Sequence, residues 1–487
     1  MFNRVVFRAL ERLRSAGLNC ERRQHASIGA DAQMRRGSRQ ALALSKLLIA
    51  ISHRETVGGW RVPGAVVGLD RRGGVAEGVF QANQWLQSHK HPDRTKIRQR
   101  NLKLDRTIVS ETPTRGLERK LDLLANQGVV ILDRRQTYLD EMIDVSRISP
   151  GAVLFPGTRL LGAQTFIGPA AKIGTEGPAV LDNAILGENT EIASGYVSGA
   201  VLLRGARLGA NAHVRPGTLL EEEASTAHAV GLKHSILMSF VTMGSLINFC
   251  DALISGGTSR RDHTEVGSGF IHFNFTPRGK SGDKATPSLV GDVVHGVFLR
   301  QARIFLGGLS AMVGPQKVGF GSLTVAGQVV REEVPANRIV GHAPRSIDQD
   351  IQVLSSSPTR IHRLNMAYIG QLAALQTWYR QVRLARIPCD VSYEHVRLVT
   401  QAGVEVLSQC IDERADRLRQ FSEERRQPFP AFSVKELPCP LNVKPCKPYV
   451  DHIDWVNQLS DTEVSLATEW LRSVAKSVSP DIHEQAE

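Results

Sequence analysis

Aromatic side chains make up only 6% of this 487-residue chain, against 43 glycines. So few rings and so much glycine suit a repetitive, turn-rich β architecture better than a doubly wound sheet. No run of about 18 apolar residues occurs, so no transmembrane helix is expected. The six cysteines (Cys20, Cys250, Cys389, Cys410, Cys439 and Cys446) form no CxxC pair. Cys439 and Cys446 with His452 match no standard zinc spacing, and no metal site is expected. Reduced thiols and a cytoplasmic location are the default for such usage.

Charge of one sign is also missing from most of the chain. The net charge is +12, but residues 1–110 carry +13 and the remaining 377 carry −1. The basicity is a property of the first fifth of the sequence, so it implies no nucleic-acid partner for the main body. The opening MFNRVVFRALERLRS is Arg-rich and lacks the apolar core and cleavage site of a secretory signal. Residues 1–110 show no sustained periodicity and read as a basic, poorly ordered extension.

From Arg115 the character changes. Leu117, Leu121 and Leu124 lie on one helical face, Gly128 ends the helix, and VVILD (129–133) reads as a short buried strand, giving a lead-in over 111–146. Residues 147–345 then repeat in sixes: Ile148-SPGAV, Leu154-FPGTR, Leu161-GAQTF after a one-residue slip, Ile167-GPAAK and Ile173-GTEGP. The phase returns at Leu186-GENTE, Leu208-GANAH, Val214-RPGTL and Val318-GFGSL. An aliphatic residue first and small residues next and fifth are what a three-sided coil requires. The aliphatic side chain fills the prism and the small ones permit the corners. The fold class expected is mainly β, a left-handed parallel β-helix, with blurred hexads and loops between about 225 and 310.

Residues 346–487 read as an α-helical C-terminal region. Ile369, Leu372, Leu375, Tyr379 and Val382 form one stripe, 391–426 continue as a charged helix, and 428–448 are proline-rich. A last helix over 461–478 takes Ser460 or Asp461 as its N-cap.

Polar residues bunch where the hexads blur: Arg215, Lys233, Asn248, His272, Asn274, Arg278, Lys280 and Lys284. An arginine fork, a lysine point charge and amides are what a sugar phosphate needs. The plain alternative is a solvated basic face. A β-helix has flat faces and no closed cavity, so sites form between copies and a homotrimer is the favoured assembly.

From about Arg115 to Arg345 the chain resembles the C-terminal half of the bacterial bifunctional N-acetylglucosamine-1-phosphate uridyltransferase/glucosamine-1-phosphate acetyltransferase family. GVVILD, ISPGAVLFPGT, VRPGT, LKHSIL, DALISGG, VGSGFIHFNF and VGFGSLTVAGQVVREEVP carry the resemblance, in the family's order. The resemblance implies that Arg215, Lys233 and Asn274 bind the sugar phosphate, with Lys280 as a further phosphate-side lysine. It places Asn248 where the family has a substrate-contacting tyrosine, and Ala326 where backbone groups meet acetyl-CoA or another acyl-CoA. Two departures stand out. Ser245 occupies the place of the family's catalytic histidine, and Glu265 replaces an asparagine at the acetyl-transfer site. Serine has no suitable pKa to take a proton from an amine near neutrality, and His272 is the weak candidate to substitute. The glycine-rich loop of the uridyltransferase half has no counterpart in residues 1–110, where Gly58-Gly59 and Gly73-Gly74 are isolated pairs. Uridyl transfer by this chain alone is not expected. Three readings follow: an amino-sugar phosphate or sugar-nucleotide transferase using acyl-CoA, a non-catalytic sugar-nucleotide-binding trimer, or a scaffold whose helical tail docks partners.

Overall fold

The computed structural model describes residues 112–275, 283–342, 358–429 and 432–478. The basic segment 1–110 and Lys280, Arg278 among the candidate residues lie outside the described residues. The first helix, α1 (Thr112–Asn126), buries Leu121 and Leu124 against the bottom of a parallel β-solenoid of about 11 turns, a left-handed β-helix. Lys120 fastens it, its Nζ donating to the carbonyls of Asp140, Glu141 and Ile143 at 2.9, 2.7 and 2.8 Å.

Three inward columns fill the prism. On the first sheet they run Ile131, Leu154, Ile173, Ile192, Leu208, Thr226, Met243, Val266, Leu306, Thr324 and Val340. On the second face the column is Leu139, Leu160, Leu181, Val197, Val214, Leu232, Phe249, His272, Met312 and Val330. On the third it is Ile148, Ile167, Leu186, Leu202, Leu220, Leu237, Ile254, Val290, Val318 and Val334. The first coil therefore starts at the VVILD strand, earlier than the hexads alone suggest. The one-residue slip also falls one hexad later than the spacing predicts. Leu160, not Leu161, points inward, because it pairs with Leu139 and Leu181 while Leu161 sits outside.

Between 225 and 310 the coils continue, with the extra length expelled at corners, as over 255–264 and 291–304. Small residues follow the inward position because coils stack about 4.8 Å apart, leaving no room for a side chain. A Cβ on Gly307 would meet the backbone of Val325 and Ala326 at 2.5 Å.

The second and third faces merge into one sixteen-stranded sheet because two long strands, Gly231–Leu237 and Asn248–Ile254, bend round their shared corner. The bend is taken by His234 and Asp251, at φ 46° and 61°.

Outward on the third face runs a second apolar column: Phe166, Ile185, Val201, Leu219, Ile236, Leu253 and Leu289. The helical region covers it, so the tail docks on its own chain. α2 (Pro358–Trp378) continues through one π-turn (Tyr379–Arg383) and a last helical turn (Leu384–Arg386). α3 (Glu394–Glu424) and α4 (Asp461–Ser477) complete the layer, and Ile369, Leu372, Leu375, Tyr379 and Val382 are all fully buried in it. Ser460, not Asp461, caps α4, in a reciprocal capping box with Glu463. His452 lies in this core against Trp378 and Trp455.

One link between tail and coil is ionic and buried. Glu221 and Glu222 follow the inward Leu220 at the corner of the third and first faces. Arg383, on the π-turn, donates to both carboxylates, at 3.2 Å to Glu221, and Tyr379 Oη donates to Glu221 at 2.8 Å. Burial raises the Glu221 carboxyl above the ordinary range, with Arg383 opposing and the Glu222 charge adding to the rise.

Candidate functional site

The second face presents its outward side chains in two rows. The row beside the first corner holds Tyr196, His213, Gly231 and Asn248; the next holds Ser198, Arg215, Lys233, Cys250 and Phe273. The β-register thus places Arg215 and Lys233 side by side on adjacent strands, about 4.8 Å apart at the backbone, with Asn248 in the neighbouring row on the next coil. Arg215 sits at a hexad's second position, where the norm is small, because on this open face its side chain turns out along the sheet. One guanidinium nitrogen lies 3.3 Å from the Cys250 sulfur, and its Nε is buried without a hydrogen-bond partner. Lys233 is half-buried, with no hydrogen-bond or ion-pair partner for its ammonium among the described residues. Burial raises the Cys250 thiol above its ordinary range, and the Asp251 charge adds to the rise, against Arg215 and Lys233. The thiol is thus held neutral beside two cations.

Asn274 reaches the same strand one residue further on, its Nδ2 donating to Asp251 at 2.8 Å. Asp251 is the hub of a corner cluster that the sequence alone does not reveal. It accepts an ion pair from Arg414 of α3 at 3.0 Å and faces His234 Nδ1 at 3.4 Å, while Glu413 lies 3.8 Å from the same His234 nitrogen. Burial works to raise the Asp251 carboxyl, but the His234 hydrogen bond, the Arg414 charge and the Asn274 hydrogen bond outweigh it and hold it at about 2. His234, Asp251 and Glu413 bring ligating atoms within 4.8 Å of one another. Arg414 and Arg417 already bind those two carboxylates.

His272 does not lie on this surface. Its register is that of an inward residue, between Phe249 and Met312, and its ring stacks on Phe249 at 5.5 Å between centroids. Nδ1 is 2.6 Å from the Cys250 carbonyl and Nε2 is 2.8 Å from Ser288 Oγ. Burial lowers its pKa, which favours the neutral ring. The expectation that it replaces the missing base is corrected here: both nitrogens are engaged inside the prism, out of reach of a substrate. His272→Leu is expected to lose about 1–3 kcal/mol, because the Cys250 carbonyl loses its imidazole partner and Ser288 keeps only the Gln316 N–H. Urea unfolding measures that loss, and ligand-induced thermal shifts at saturation should be unchanged.

Ala326 and Ser245 occupy one column at the corner between the first and second faces. His228, Ser245, Ser268, Gly308 and Ala326 each fall two residues after a stacked inward residue of the first sheet. Ala326 is exposed there, roughly 14 Å above Ser245 by coil spacing. Glu265 points outward on the first sheet, 3.8 Å from His263. The site is an open face. Two cavities, of about 420 and 170 Å3, lie instead among the helices and the coil margins; neither is lined by Arg215 or Lys233.

No family model matches the chain. Among curated proteins it is 28% identical over 262 residues to the bifunctional protein GlmU of Nocardia farcinica, covering 53% of this chain and 47% of that protein. The bifunctional protein GlmU of Streptococcus equi subsp. zooepidemicus is 28% identical over 212 residues, 44% of this chain and 40% of its own. That of Shouchella clausii is 24% identical over 310 residues, 63% and 59% respectively. The chain spans about half the length of the curated relatives it matches. With the β-helix, these similarities agree with the resemblance to the acetyltransferase half of the bifunctional family that the hexads and site motifs carry.

Proposed function

We propose that this chain is a hexapeptide-repeat transferase of that type. It binds an amino-sugar phosphate or sugar nucleotide on the second face and transfers an acyl group to it from acetyl-CoA or another acyl-CoA. The observation that supports this reading is the Arg215–Lys233 pair on adjacent strands, with the lysine ammonium free among the described residues. A phosphate takes a fork from Arg215 and a point charge from Lys233. Asn248 and Asn274 flank the pair from the next coils and offer amides to sugar hydroxyls. Lys280 adds a further cation in this reading, and the Ala326 corner receives the acyl-CoA through backbone groups. Acyl transfer needs no metal; backbone N–H groups at a corner stabilise the oxyanion. The open face is completed by a neighbouring copy in a homotrimer, and the protein works in the cytoplasm.

Ser245 favours a second reading, a sugar-nucleotide-binding trimer or scaffold that keeps the phosphate grip without acyl transfer. Thermal-shift measurements on the full chain with acetyl-CoA, UDP-N-acetylglucosamine and glucosamine-1-phosphate separate the two. Stabilisation by acetyl-CoA supports the transferase, and stabilisation by the sugar nucleotide alone supports the second reading. No shift with any of the three overturns both ligand-binding readings and favours a scaffold whose helical tail docks partners. Arg215→Ala with Lys233→Ala is expected to weaken the sugar-phosphate ligand by about 100- to 10,000-fold, since charge-assisted hydrogen bonds each contribute about 1.5–3 kcal/mol and about 1.4 kcal/mol is tenfold.

A further inference from the structure

Where the resemblance would place a histidine base, the structure holds a hydrogen-bonded pair. Ser245 Oγ lies 2.9 Å from Nδ1 of His228, which occupies the same corner one coil below. The hydroxyl is half-buried and the imidazole exposed. One coil above, Ser268 Oγ accepts the Ser245 backbone N–H at 3.0 Å, which fixes the backbone from which the hydroxyl projects. Three residues along the chain, Asn248 opens the second face, and the Lys233 row follows two residues beyond it. At about 3.3 Å per residue the corner lies at most about 16 Å along the chain from the phosphate-binding row, a gap for a sugar phosphate and the long Arg215 and Lys233 side chains to span together.

We infer that Ser245 is an acyl-accepting nucleophile and His228 its general base, so that this chain transfers acyl groups through an acyl-serine rather than by direct attack on the thioester. The inference rests on the transferase reading for its donor. A serine cannot act as a base, but paired with an imidazole it becomes a nucleophile. With Nδ1 as acceptor, His228 takes the Oγ proton as Oγ attacks the acyl-CoA carbonyl. The Oγ–C bond forms, the C–S bond breaks, and His228 passes the proton to the departing sulfur, releasing CoA. In the second half, an amine or hydroxyl of the sugar attacks the ester carbonyl. His228 takes that group's proton and returns it to Oγ as the Oγ–C bond breaks, and the acylated sugar leaves. Both halves balance with no further reactant. The two-step course also accounts for an exposed base: it must reach a proton on CoA in one half and on the sugar in the other.

The test treats the full chain with acetyl-CoA in one sample and with a fluorophosphonate in another, followed by peptide mapping. The expected result is one acetyl group on Ser245 in the first and phosphonylation of Ser245 in the second. Ser245→Ala should abolish both, and His228→Gln should slow both by at least tenfold with no change in melting temperature, both substitutions being on the solvent side of a corner. The rate in the unsubstituted chain should follow a single histidine ionisation, a dependence that a merely structural hydrogen bond would not produce. If acetyl-CoA stabilises the protein but neither reagent modifies Ser245, the nucleophile is overturned and the transferase reading stands. If the fluorophosphonate modifies Ser245 but acetyl-CoA neither shifts the melting temperature nor leaves an adduct, the nucleophile is supported and the acyl-CoA donor is overturned.

Discussion

Arg383→Met is expected to remove about 3–5 kcal/mol of folding stability, the loss typical when one partner of a buried ion pair is deleted. The reason is the company Arg383 keeps. It is 4% exposed, and it neutralises Glu221 and Glu222, which are 3% and 5% exposed and consecutive in the chain. Without the guanidinium, two carboxylates face each other in an apolar seam with Tyr379 and Ser239 left to hydrogen-bond them among the described residues. The pH dependence identifies the mechanism. Glu221 already has a raised pKa, mainly from burial, and Arg383 is what restrains the rise. A carboxyl whose folded pKa lies above its unfolded value contributes stability below the unfolded pKa, about 4.3 for glutamate, and loses it as pH rises through the folded value. Removing Arg383 enlarges that rise, so the deficit measured by urea unfolding should be larger at pH 8 than at pH 5. A deficit that does not change with pH would mean that packing around the π-turn, rather than charge, anchors the tail. Adding Glu221→Gln and Glu222→Gln should recover part of the loss, because a neutral seam leaves no uncompensated charge.

This seam also shows where sequence reading stops. The inward columns are legible because an aliphatic residue every sixth position has one physical meaning, and Leu154, Ile167, Ile173, Leu186 and Val214 all obey it. The exterior of the third face is legible in principle: Val201 and Leu202, Leu219 and Leu220, Ile236 and Leu237, and Leu253 and Ile254 are adjacent apolar pairs. A strand that is apolar on both sides must be covered on both sides, and the helical region is what covers it among the described residues. What the spacing cannot supply is the partner of a single polar residue 162 positions away, as Arg383 is from Glu221. His272 is legible too. Its apolar neighbours Phe270, Ile271 and Phe273 already point to a structural histidine, and its register is that of Phe249 one coil below and Met312 one coil above. Counting from inward neighbours places it inside. Arg215 and Lys233 were readable as a pair because both follow an inward residue, Val214 and Leu232, by one position. Ser245 with His228 was readable by the same count, each falling two after Met243 and Thr226.

Arg414→Met should cost about 3–5 kcal/mol as well, and its consequences should reach the candidate site. Arg414, on α3, binds Asp251, and Asp251 in turn holds Asn274, the residue the proposed function assigns to the sugar. Loss of the guanidinium leaves a buried carboxylate with His234 and Asn274 beside it, so the strand carrying Cys250 and Asp251 loses its ion pair to the helical layer and keeps the apolar contact through Leu253. The sign of the pH effect is opposite to that at Arg383. Asp251 is held at about 2, below the usual aspartate value, so its contribution is complete above about pH 3.9 and is lost as pH falls toward 2. That shift corresponds to about 2–3 kcal/mol at neutral pH by linkage. In Arg414→Met one of the groups that depress the carboxyl is gone while His234 and Asn274 remain, so the dependence between pH 4 and 2 should become shallower, and the deficit against the unsubstituted chain should be greatest at neutral pH. Acid titration followed by near-ultraviolet circular dichroism reads this directly. Arg417→Met is the control, since Arg417 touches Glu413 at 2.9 Å near the rim and does not bind Asp251. An acid profile altered equally by both substitutions would assign the effect to the charge of α3 as a whole. A profile altered only by Arg414→Met, with a weakened response to the sugar-phosphate ligand, would show that the tail braces the second face from behind.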